Sequence, residues 1–398
     1  VLVGNDAAFG SGNLTISGST VSSDGATART VGNNYSLAAT LTLGNATRNG
    51  PLTFSGTGAL TGDTTLTAAS GVTLSGPISG AYGLTKDGAG ELVLSGTNTF
   101  SGAVVVNTGI LTVGGGAAIA DAAAVTVTAP GSLKLNSSET VGSLSGDGLV
   151  NLQVNALTIG GSFNTLYSGV MSGTGSLTHN GTGSLTLSGV NTFSGGVTVS
   201  GGTVFAGGNA AFGSGTIAVN GATVASDSTT NRTFTNAYSF GGLVTLGTLG
   251  GGALTFSGNG SLTSNATLTT LSDVILSGPL GGGFNLTKAG AAALTLSGTN
   301  TFTGGATLNA GPVYVGSNAA FGAVSGLLTL AGSSVSSDGT SARSIGNVFS
   351  MGGSVTLGDA TKTGALSLTG NGTLSSNVSL ITRGFNGLQR LDGGADHR

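Results

Sequence analysis

Short runs in which an aliphatic residue alternates with Thr or Ser, each ended by Gly or Asn, recur along the whole chain. Examples are LTISG (14–18), TLTLG (40–44), LTFSG (52–56), VTVSG (197–201) and LTLSG (294–298). Period-two alternation between turn residues is the signature of a β-strand. Successive side chains of a strand point to opposite faces, so the aliphatic residues face inward and the hydroxyls outward. Helical spacing is absent; the Ala-rich AAIADAAAV (117–125) is the sole helix candidate and is too short to carry one. Strands this short bury too little apolar area to stand as a free sheet. Coiling the chain so that every turn lies on the last gives each strand a neighbour above and below and lines the inward side chains into columns. The pattern therefore predicts an all-β protein, a parallel β-solenoid forming a single elongated rod. Roughly 20 residues per coil and about 4.8 Å between stacked strands would make about 20 coils.

The strands belong to phrases that return. LSGTNTF, LSGVNTF and LSGTNTF place Phe100, Phe193 and Phe302 at separations of 93 and 109 residues. NDAAFGSG, GNAAFGSG and SNAAFGAVSG place Phe9, Phe212 and Phe321 at 203 and 109. VSSDGATARTVGN, VASDSTTNRTFTN and VSSDGTSARSIGN keep Asp24/Arg29, Asp227/Arg232 and Asp338/Arg343 five residues apart. A fourth phrase reads GLTKDGAGELVLSG (83–96), SLTHNGTGSLTLSG (176–189) and NLTKAGAAALTLSG (285–298). Large units span about 1–102, 205–304 and 314–382, with a shorter variant at about 103–204 in which AIADAAAVTVTAPGSLKLNSSETVGSLSGDGLVNL replaces the NAAFG/SSDG section. No charged linker separates them, so residues 1–382 read as one continuous array. Residues 383–398 form an atypical tail or cap.

Composition narrows the class. Of 398 residues 77 are Gly and 6% are charged, while 38% are hydrophobic. A disordered chain is poorer in apolar residues and richer in charge, and a collagen has Gly at every third position with abundant Pro, whereas this chain has 5 prolines. The net charge of −3 is spread thinly, which argues against nucleic acid or an anionic membrane as partner. Cysteine is absent, so there are no disulfides or thiolate metal sites. No stretch reaches the roughly 18 consecutive apolar residues of a spanning helix, and the opening VLVGNDAAFGSG is already inside a repeat, as expected of a segment of a longer chain.

The stretches GLTKDGAGELVLSGTNTFSGAVVVNTGILTVGG (83–115), YSGVMSGTGSLTHNGTGSLTLSGVNTFSGGVTV (167–199) and FNLTKAGAAALTLSGTNTFTGGATLNAGPVYVG (284–316) resemble the autotransporter-associated β-strand repeat, also called the passenger-associated transport repeat. The middle copy carries His179 in place of Lys, and the third acquires Pro312. The resemblance implies a right-handed parallel β-helix in the passenger of a type V secreted bacterial protein, where the repeat assists transport and folding outside the cell. It also implies a secreted or cell-surface location. The family's C-terminal membrane barrel has no counterpart in this sequence.

No copy of any phrase contains a nucleophile–base pair, a metal-ligand set or a basic cluster, and the chain offers no cofactor site. The Asp24/Arg29, Asp227/Arg232 and Asp338/Arg343 pairs are read as ion pairs locking a corner rather than a ligand-binding ladder, worth roughly 0–1 kcal/mol each if exposed. His179 shares the slot of Lys86 and Lys288 and is read as a solvated repeat position rather than a general base. His397, with Asp392 and Asp396 nearby, is a weak metal candidate in the tail. Gly clusters such as GTGALTG (56–62) lack the Lys of a phosphate loop and read as corners. Calcium-binding nonapeptides would need many more than the 14 acidic residues present. The sequon Asn13-Leu14-Thr15 has meaning only in a glycosylating host. Phe100, Phe193 and Phe302 are expected inside a coil or plugging its end, and Asn98, Asn191 and Asn300 at left-handed corners or in an amide ladder.

These readings point to a non-enzymatic extracellular structural protein: a stalk, scaffold or adhesive surface fibre. Self-association through solenoid ends or edges into a filament follows from exposed strand edges. The alternative is an adhesin module whose neutral hydroxyl face contacts a cell surface or carbohydrate. An ice-binding solenoid would want regular Thr-x-Thr ladders, and a polysaccharide-degrading β-helix clustered acids and bases; both fit less well.

Overall fold

The structure, a computed structural model, describes residues 1–375 and 378–383. The strands stack in parallel, and the described residues contain no helix. The described residues form an all-β parallel solenoid of about 19 turns. The Ala-rich segment forms turns, with Ala123 N–H donating to Ala120 C=O, before the strand Ala124–Val127 begins. His397, Asp392 and Asp396, like the rest of 384–398, lie outside the described residues.

Contacts divide the chain into two units, Val1–Val197 with Ala210–Ser214, and Thr198–Asn209 with Gly215–Arg398. In the first, one inward column runs Leu52, Val72, Leu92, Leu111, Leu133, Val150, Met171, each paired in register with the next. All seven are buried. The alternate residues form the outward column Thr53, Thr73, Val93, Thr112, Lys134, Asn151, Ser172. Alternation in sequence thus becomes an apolar inner column and a mainly polar outer one, with Val93 its apolar member and Thr112 its buried one, because stacking without a register slip preserves parity from coil to coil.

The second unit repeats this logic. Leu254, Val274, Leu294, Val313 and Val335 stack inward on one face, and Ala266, Leu286, Ala306 and Leu328 on another. Phe234, Tyr238, Phe240 and Phe256 pack with ring centroids 5.0–5.5 Å apart, within the range of favourable tilted aromatic pairs.

Register slips once in each of two long strand pairs. The ladder skips between Leu37 and Ala39 in the first unit and between Phe240 and Gly242 in the second. The residue after the slip has φ of +58° at Ala39 and +69° at Gly242, and Gly353, between the strands Phe349–Met351 and Ser354–Leu357, also has +69°. Glycine meets this left-handed demand without cost in two copies, whereas Ala39 meets it against its own Cβ.

Candidate functional site

The repeated phrases converge on polar clasps, most of them buried, that tie one coil to its neighbours. The NTF asparagines form the first. Asn98 accepts from Ile78 N–H at 2.8 Å and donates to Ala118 C=O at 2.8 Å, each partner 20 residues away. Asn191 bridges Met171 N–H and Ala211 C=O at 2.8 and 2.7 Å, and Asn300 bridges Leu280 N–H and Ala320 C=O at 2.8 and 2.7 Å. All three are buried. Their amides reach backbone rather than each other, and none has a positive φ, which corrects the expectation of a left-handed corner or an amide-to-amide ladder. A buried backbone group must find a partner, and the corner breaks the sheet ladder just here, so the amide supplies the bond the strand cannot. Phe100, Phe193 and Phe302, next but one in sequence, are completely buried.

The second clasp overturns an expectation. Lys86, Lys288 and His179 are 0%, 0% and 1% exposed, so the slot read as solvated is in the core. The reason is parity: in Leu84-Thr85-Lys86 the Lys stands two residues from an inward Leu and shares its face. Lys86 Nζ donates to the carbonyls of Asp87, Gly88 and Thr108 at 3.0, 2.7 and 2.9 Å. Lys288 Nζ donates to those of Ala289, Gly290 and Ala310 at 2.9, 2.8 and 2.9 Å. An ammonium has three N–H donors, and here all three are used. Burial pulls both lysines down to about 8, and for Lys86 the neighbouring Asp87 carboxylate opposes the shift. His179 Nε2 donates to Gly183 C=O at 3.1 Å while Nδ1 has no partner, and burial lowers its pKa. A neutral ring with one hydrogen bond replaces a caged cation.

The Asp–Arg pairs form a third set. Arg29–Asp24, Arg232–Asp227 and Arg343–Asp338 close at 2.9, 2.6 and 3.2 Å on the surface. Arg29 Nε also donates to Val3 C=O and Arg232 Nε to Ala206 C=O, which binds the corner to a preceding coil. In the third copy Arg343 Nε is buried without a partner.

A fourth clasp has no counterpart in the residues singled out from sequence. Asn33, Asn236 and Asn347 are buried, and their Nδ2 atoms donate to Gly10 and Gly12, to Gly215, and to Ala323 and Gly326. Their shared place in VGN, FTN and IGN was the available signal.

Glu139 is the carboxyl whose environment most invites a catalytic reading, since burial raises it to about 6. Its oxygens accept from Ala118 N–H and Ile119 N–H at 3.3 and 3.1 Å inside the coil. It caps buried backbone and presents nothing to a substrate. No group of three or more His, Cys, Asp or Glu side chains gathers among the described residues.

The passenger-associated-transport-repeat family matches residues 84–113, 177–204 and 286–312. These three repeats contain the Lys/His slot and the NTF asparagines, and the resemblance read from sequence is borne out. The chain is also similar to the adhesin BmaC autotransporter of Brucella suis biovar 1 (strain 1330), 42% identical over 119 residues. That match spans 27% of this chain and 3% of the relative. No solved structure matches the chain.

Proposed function

We propose that a chain built on three passenger-associated transport repeats is a non-enzymatic stretch of an autotransporter passenger, displayed outside a bacterial cell as adhesive scaffold. One observation carries the reading: the polar groups that recur in triplicate are spent on holding coil to coil. The Asn98, Asn191 and Asn300 amides and the Lys86 and Lys288 ammoniums have their hydrogen-bonding capacity directed to backbone inside the protein. Outward columns of Thr and Ser leave a long neutral face for contact. The likeness to an autotransporter adhesin supports the surface location.

Antibody against the purified chain should label intact cells of the source bacterium, and external protease should remove the label. Deleting the segment should reduce attachment of those cells to their substratum. A segment protected from protease on intact cells would overturn the location, and sustained turnover of polysaccharide by the purified chain would overturn the non-enzymatic role.

A further inference from the structure

A groove of about 470 Å³ lies within the first unit, on the coils that run from Asp121 to Asn180. Its lining includes Asp121, Thr140, Ser162, Phe163 and Asn180. The floor is backbone: Gly161 N–H donates to Gly142 C=O and Gly142 N–H to Ala123 C=O, both at 2.9 Å. A Cβ on Gly142 or Gly161 would run into the carbonyl of the coil beneath, so glycine is what lets these coils lie close and the surface sink. Phe163 is 62% exposed, and its ring lines the groove instead of joining the core. The next residue, Asn164, accepts from Ser184 N–H at 2.9 Å, so the backbone carrying the ring is tied to the following coil. Thr140 continues outward as a column with Thr158 and Thr178, each paired in register with the next.

We infer that this groove binds a neutral saccharide, with the Phe163 ring as platform and Asp121, Asn180 and the neighbouring hydroxyls as hydrogen-bonding partners. A sugar presents an apolar face of C–H groups and an equatorial rim of hydroxyls. An exposed aromatic ring beside a carboxylate, an amide and hydroxyls matches both, the ring supplying apolar area and the polar groups fixing orientation. No Lys or Arg lines the groove, which removes the counter-charge an anionic glycan or a phosphate would need. A single carboxylate is too few for a hard cation. The Thr140–Thr158–Thr178 column extends the hydroxyl surface one strand spacing at a time, so a glycan chain rather than a lone sugar is the fitting occupant. The site deepens the adhesive reading, on which it rests, by naming a ligand class.

The test is an array of neutral oligosaccharides built from glucose, galactose, mannose and N-acetylhexosamines, with sulfated heparin fragments as the anionic control, probed with the full chain. Titration calorimetry follows on the best binder. Binding of at least one neutral glycan is expected, with Phe163→Ala and Asp121→Ala each weakening it at least about ten-fold and Phe163→Trp retaining it. Phe163 contributes little to the core, so thermal unfolding of Phe163→Ala should match the parent. The inference is overturned if no neutral glycan binds at millimolar concentration, if Phe163→Ala binds like the parent, or if heparin fragments compete. Because the array uses purified protein, a negative result leaves surface display intact, and a failure of display leaves the groove standing.

Discussion

Replacing Asn300 by Ala should loosen the solenoid at one coil by an amount the geometry sets. Asn300 holds Leu280 N–H at 2.8 Å and Ala320 C=O at 2.7 Å, and both partner residues are fully buried. Truncation leaves one donor and one acceptor without partners in the interior, at about 1–3 kcal/mol each. Against this stands the recovered cost of burying the amide itself, so a net loss of about 3 kcal/mol is expected. In a quasi-one-dimensional array each coil is coupled only to its neighbours, and the loss should appear as local opening rather than global collapse. Hydrogen exchange reads that directly: with a factor of ten for each 1.4 kcal/mol, the Leu280 amide should exchange about 100-fold faster in the variant. Asn300→Asp adds a second arm. Ionised, its second oxygen faces Ala320 C=O and repels it; protonated, it donates there and restores the clasp. Its deficit should therefore shrink as pH falls through the carboxyl's own titration. If the Leu280 amide in Asn300→Ala exchanges within a few-fold of the parent while the protein remains folded, the clasp does not hold the coils and the reasoning fails.

Three further outcomes are expected. Ala39→Gly relieves a left-handed residue worth about 1–2 kcal/mol of strain against about 0.5–1 kcal/mol of added unfolded-state freedom, so urea unfolding should show a gain of about 0.5–1 kcal/mol, with Gly242→Ala moving the other way. Tyr238 buries a hydroxyl without a partner where the third copy has Phe349, so Tyr238→Phe should be neutral or stabilising by up to about 1 kcal/mol in the same assay, and a loss above that would mean the hydroxyl is satisfied. Lys288 has its pKa lowered from 10.5 to about 8, so between those values the unfolded chain binds more protons than the folded one. Stability should rise with pH across that window, and Lys288→Met should remove part of the rise; an unchanged slope would show that the carbonyl cage keeps the cation through the window.

Strand identity, inward and outward parity and parallel stacking were legible because each is a period-two pattern repeated without slip. The buried lysines were legible too, had parity been allowed to outweigh the habit of placing charge outside. Leu84-Thr85-Lys86 and Leu286-Thr287-Lys288 each put the Lys on the Leu face, and His179 follows Leu177 in the same way. The carbonyl cage that makes such burial tolerable was not legible, since it draws on Thr108 and Ala310, 22 residues onward. The same distance hid the partners of Asn33, Asn236 and Asn347. The Phe163 groove escaped for a different reason, because Phe163 stands in none of the repeated phrases and so leaves no periodic trace.

Each NTF asparagine reaches one turn back and one turn forward, to partners 20 residues away on either side. Such a chain is digital in length. Gain or loss of a whole turn hands the amide an equivalent donor and acceptor, whereas a single-residue insertion misaligns both at once. Inherited variation in size should therefore arrive in full turns, leaving every joint intact while the molecule grows or shrinks.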